Sequence, residues 1–118
     1  MKPMKEKVSS ASAWQHQYER LRQRLAQTGY LSQGSVLDRA SLGSGRSGYQ
    51  WTRKVAGKTV TVALSREQFQ GLKQAIENER RLWKTIGQME RLSRQILFAT
   101  TPDTRRRKRL DKKVLGLI

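Results

Sequence analysis

The sequence predicts an α+β protein: an N-terminal helix, a two- or three-stranded antiparallel sheet, a long C-terminal helix and a basic tail. Three observations lead there. Trp14, Tyr18, Leu21 and Leu25 recur at helical spacing. Residues 49–64, YQWTRKVAGKTVTVAL, alternate in type on both sides of Ala56-Gly57. Ser65-Arg66-Glu67-Gln68 then opens a broad apolar stripe that no proline interrupts before Pro102.

Residues 1–10 carry charge without an apolar segment, so they are expected to be disordered and are not a secretion signal. A single domain is expected over 11–99. Its first helix is placed at 12–27, with Ser10 or Ser12 as N-cap and Gly29 where a C-terminal cap belongs. Residues 29–48 are rich in Gly and Ser and read as loop, with a short strand within Val36 to Arg39. That strand decides whether the sheet has two members or three.

In the hairpin 49–64, a two-residue turn at Ala56-Gly57 pairs Val55 with Lys58, Arg53 with Val60, Trp51 with Val62 and Tyr49 with Leu64. The opposite face pairs Lys54 with Thr59, Thr52 with Thr61 and Gln50 with Ala63. Tyr49, Trp51, Val60, Val62 and Leu64 form a core face, expected against Phe69, Leu72 and Ile76. The helix that follows is placed at 66–98, with Ser65 and Gln68 as a capping box and Glu67 at the positive end of the helix dipole. Residues 100–118 form the tail; Arg105 to Lys113 holds seven basic residues and one acidic residue before the apolar VLGLI. That apolar end either docks on a partner or folds back on the core.

Charge narrows the function. Lys and Arg number 25 against 9 Asp and Glu, a net charge of +16 on 118 residues. Self-repulsion of that size works against compaction, which points to a polyanionic partner, nucleic acid first. The hairpin's second face carries Gln50, Thr52, Lys54, Thr59 and Thr61 and no carboxylate, with Arg39 and Arg46 arriving from the preceding loop. Such residues on a small sheet suit the DNA major groove, where Gln, Arg and Lys meet base edges and Thr meets a phosphate or a thymine methyl. A merely solvated face is the plain alternative, since Thr favours strands. Lys58, at the turn, joins the candidate set. Arg105, Arg106, Arg107, Lys108, Arg109, Lys112 and Lys113 are expected to clamp phosphates without sequence preference.

The long helix raises a different possibility. Alone, it exposes Leu82, Trp83, Ile86 and Met89, which then form a partner interface, either with a second copy or with another protein. A protein-interaction adaptor, or a subunit of an RNA-protein machine, is therefore the rival reading. Enzymatic activity is not expected. The nine acidic residues sit mostly on helix surfaces or in tails, no phosphate loop of the form G-x-x-x-x-G-K-S/T is present, and His16 is a lone histidine. No metal site, catalytic residue or cofactor is expected; the chain has no cysteine. No segment reaches the roughly 18 apolar residues of a membrane span. The expected location is cytoplasmic, at the nucleoid.

The blocks GSVLDR and GYQWTRKVAGKTVTVALSREQ, with IENERRL and LSRQIL on the following helix, resemble a family of small bacterial proteins of unknown function. Its pattern is a Gly-Ser near the first strand, a Y-x-W-T-R-K-V-x-G-K-T-V-T hairpin and a long helix, matched here from Leu21 to Leu97. Members are often encoded beside transposases, which implies a nucleic-acid role accessory to a mobile element. Many carry a cysteine cluster between first strand and hairpin; this sequence has SLGSGRSG there, so any metal site built on that cluster is missing. More loosely, the hairpin resembles the sheet-plus-helix DNA readers of integrase arm-binding domains.

Overall fold

The computed structural model describes residues 3–43, 45–104 and 109–118. The elements are α1 (Pro3–Ala26), β1 (Ser35–Asp38), a 3-10 turn (Arg39–Leu42), β2 (Tyr49–Val55), β3 (Lys58–Leu64) and α2 (Arg66–Thr100). This is the expected α+β order, and the sheet has three antiparallel strands in the order β1-β2-β3. The chain divides into two compact units, one of residues 28–82 and one of residues 1–27 with 83–118.

The sheet unit rests on the hairpin. Tyr49 faces Leu64, Trp51 faces Val62, Arg53 faces Val60 and Val55 faces Lys58, the register that alternation and a two-residue turn require. Ala56 at φ 51° and Gly57 at φ 80° give the turn two consecutive left-handed residues, as a type I′ turn needs. Alanine is a poor occupant of that region. Ala56→Asn is expected to stabilise the protein by about 0.5–1 kcal/mol, read as a higher urea midpoint at constant m-value.

β1 pairs only with the base of the hairpin, from Ser35 opposite Thr52 to Asp38 opposite Tyr49. It ends in a cap: Asp38 Oδ1 accepts from Ala40 N at 3.1 Å, and Gly43 at φ 66° closes the 3-10 turn. Before it, Gly34 takes φ 101°, and the indole of Trp51 donates to Gln33 O at 2.9 Å. The guanidinium of Arg53 lies 5.6 Å from the Trp51 ring centre.

The core face is shorter than expected. Tyr49 stacks on Phe69 with ring centres 4.5 Å apart, and Tyr49, Trp51 and Leu64 are half-buried, with Ala75 and Ile76 buried on the helix. Val60 and Val62, expected in that core, are 38% and 41% exposed. The reason is length. Seven-residue strands at roughly 3.4 Å per residue outrun the roughly 10–12 Å breadth of one helix. From Arg53 to Val60 the hairpin is a two-stranded ribbon whose side chains are exposed on both faces.

α2 begins with the capping box: Ser65 N donates to Gln68 Oε1 at 2.9 Å, and Gln68 N donates to Ser65 Oγ at 3.1 Å. Asn78 then fastens residues 30–32 along the helix. Its Nδ2 donates to Tyr30 O at 3.0 Å, and Ser32 N donates to Ala75 O at 3.3 Å. Gly29 serves that contact. It does not take the positive φ of a helix cap; a Cβ there would lie 3.1 Å from Asn78 Nδ2.

In the helical unit, α1 begins at Pro3, not near residue 12 as expected. Proline suits a first helical turn, and Lys and Glu continue it well. Ala11, Met89 and Leu92 are the buried residues of this unit among those described. The C-terminal segment folds onto it as a single turn. Asp111 Oδ1 accepts from Val114 N at 2.8 Å and starts the turn. Leu117 N donates to Lys112 O at 2.8 Å and Gly116 N to Lys113 O at 3.1 Å, around Gly116 at φ 74°. That is a Schellman closure. Arg94 Nε donates to Leu115 O, and Leu115 and Leu117 fold back to half-burial while Val114 and Ile118 stay exposed.

Candidate nucleic-acid interface

Strand pairing assigns the faces. Ser35, Leu37, Gln50, Thr52, Lys54, Thr59, Thr61 and Ala63 share one face of the sheet. No carboxylate stands among them. Asp38, the one acidic strand residue, is on the other parity and is engaged in the cap of the 3-10 turn.

Arg39 reaches this face because it keeps the parity of Leu37, which stands opposite Gln50. Arg39 N donates to Gly48 O at 2.9 Å, closing the loop, and Arg39 Nε donates to Gln50 Oε1 at 3.1 Å. Arg39, Arg46, Leu37, Leu42 and Gln50 line one pocket of about 370 Å³. The loop tract expected to be irregular thus delivers both arginines to the Gln50 end of the polar face.

The pairing changes the expected role of Gln50. Bidentate recognition of adenine uses both the carbonyl and the amide of a glutamine. Here the carbonyl oxygen already accepts from Arg39, so Gln50 orients the guanidinium. Arg39 keeps its two terminal nitrogens, the pair that grips a phosphate or the O6/N7 edge of guanine. The sequence singled out both residues but carried no sign that they join, because the partners lie 11 positions apart, across a loop.

Farther along the ribbon, Thr52 and Thr61 face each other with hydroxyl oxygens 3.4 Å apart. Lys54 and Thr59, the next pair, are both exposed. Lys58 is exposed too, but it pairs with Val55 on the opposite parity and so does not belong to this face. Arg109, Lys112 and Lys113 are exposed on the C-terminal segment; Arg105, Arg106, Arg107 and Lys108 lie outside the described residues.

The expected partner interface is uneven. Trp83 is 61% exposed, Leu82 and Ile86 are half-buried, and Met89 is buried within the helical unit. Met89 is therefore core and does not present itself to a partner. Among the described residues, no group of His, Cys, Asp and Glu is placed to hold a metal ion, and no helix is long and apolar enough to cross a membrane. No protein-family model matches this chain, and no curated protein or solved structure matches it either.

Proposed function

We propose that the protein is a non-catalytic nucleic-acid-binding factor that meets double-stranded DNA with the polar face of its sheet and clamps phosphates with its basic tail. One observation carries the reading: Arg39, oriented by Gln50, stands beside Arg46 on a sheet face without a carboxylate, in a chain of net charge +16. A solvated sheet face has no need of an oriented guanidinium. Two other features support a groove. The ribbon beyond Arg53 is exposed on both faces, and a two-stranded ribbon fits the width of the major groove. Thr52, Thr61, Lys54 and Thr59 give that ribbon a row of hydroxyls and an ammonium for phosphates or base edges. The resemblance of the hairpin to proteins encoded near transposases extends the proposal to an accessory role at a mobile element in a bacterial cytoplasm.

The test is a pair of variants. Arg39→Gln is expected to cost about 1–3 kcal/mol of affinity for the preferred duplex and to relax its sequence preference. Gln50→Ala, which removes the orienting acceptor, is expected to lose part of that preference while keeping non-specific binding. Competition titrations against random duplex read both. Equal losses on preferred and random duplex would show that Arg39 contributes charge alone.

A further inference from the structure

The helical unit holds a second concentration of guanidinium groups that the sheet reading does not use. Gln17, Arg20 and Arg24 on α1, with Gln88, Arg91 and Gln95 on α2, line a pocket of about 660 Å³. Leu21, Leu92 and Leu117 complete it. No carboxylate contributes to the lining.

Each part has a local cause. Arg20 and Arg24 are four residues apart on one helix, which sets them on one face, and Gln17 lies one turn earlier on the same side. Gln88, Arg91, Leu92 and Gln95 repeat at helical spacing on α2. Leu117 is delivered by the C-terminal turn: Arg94 holds Leu115 O, and Gly116 supplies the left-handed residue after which Leu117 turns inward to half-burial. Gly116 at φ 74° is in a conformation that strains an L side chain, so the closure favours glycine there.

Arg20 and Arg91, one from each helix, bring two exposed guanidiniums to this pocket and make it attractive to an anion. The volume is within the range of small-molecule sites, roughly 300–1,000 Å³, and well beyond a lone phosphate. The remaining lining explains the excess. Three glutamine amides offer both donors and acceptors, the pattern that matches a base edge, and the leucines offer an apolar surface for a ring face. We propose that this pocket binds a phosphorylated nucleoside, with Arg20 and Arg91 on the phosphate, the glutamines on the base edge and the leucines against its face. The ligand is either a free mononucleotide or an unpaired residue of a nucleic-acid strand, since both present the same chemistry. The site lies within the helical unit and does not rest on the sheet face.

Titration calorimetry of the full chain tests it, with 5′-mononucleotides, the matching nucleosides and inorganic phosphate as probes. Saturable mononucleotide binding, at least tenfold tighter than nucleoside or phosphate, is expected. Arg91→Gln and Arg20→Gln should each weaken it about tenfold at unchanged helix content by circular dichroism. Gln50→Ala, in the other unit, should leave it unchanged, so this proposal and the sheet reading fail separately. Displacement of the mononucleotide by an unphosphorylated single-stranded hexamer assigns the pocket to a strand residue; a mononucleotide that the hexamer does not displace assigns it to a free nucleotide. Equal binding of nucleoside and nucleotide, no saturable binding, or full affinity in Arg91→Gln would overturn the proposal.

Discussion

Gly34→Ala is expected to lower the free energy of unfolding by about 3 kcal/mol, a severe loss for a chain with so small a buried core. Two effects combine. Gly34 sits at φ 101°, where an L-residue is strained, and a Cβ there would approach both Thr52 O and Trp51 Nε1 to 2.6 Å. The carbonyl belongs to the backbone of the central strand and cannot swing aside. The indole is held by its bond to Gln33 O. Relief therefore requires β1 to separate from β2 at the Ser35–Thr52 pair, which also loosens Arg39 downstream. Urea unfolding of the full chain measures the loss. Gly71→Ala is the control: no atom lies within 4 Å of a Cβ there, and within α2 it should stabilise by about 0.5–1 kcal/mol. Equal, small effects of the two substitutions would contradict the close approach.

How much of this was readable beforehand follows from the range of each signal. The hairpin register was readable because period-2 alternation and a two-residue turn leave one solution, in which a slip by one residue exchanges the two faces. The capping box was equally local, since Ser65 and Gln68 satisfy each other over three positions. Val60 and Val62 were misplaced because alternation tells which face a residue takes but not how far the covering helix extends. Asn78 and its bond to Tyr30 O gave no sequence signal, as the partners are 48 positions apart. The same holds for the candidate site. Its residue types were visible on one strand parity, whereas the union of Arg39 with Gln50 needs the β1–β2 register, set across an irregular loop between partners 11 positions apart. Leu117 in the arginine-lined pocket needs a Schellman turn that a Leu-Gly-Leu triplet only hints at.

The second large effect concerns the basic run. Replacing Arg105, Arg106, Arg107, Lys108 and Arg109 with glutamine removes five positive charges and lowers the net charge from +16 to +11. Substitution is preferable to deletion, since Arg94 and Leu117 tie the end of the chain to the helical unit. If each cation neutralises one phosphate, the slope of log affinity against log salt falls by roughly 4–5, and affinity at low salt drops about 10³-fold or more. The loss should be uniform across sequences, because phosphate contacts position a protein without reading bases. Fluorescence anisotropy with labelled duplex over a range of salt concentrations reads both quantities. An unchanged slope would remove the tail from the binding surface. A loss confined to one sequence would place base contacts in it.

The most direct test of the central claim is a titration of the intact protein at several salt concentrations. Three nucleic acids of equal length are compared: random duplex DNA, the duplex flanking its own gene, and structured RNA. Readout by the face that carries Arg39, Gln50 and Thr52 predicts a large preference for the flanking duplex that survives at physiological salt and is lost in Arg39→Gln. Equal binding to all three, erased together as salt rises, would contradict it and leave charge as the whole of the interaction.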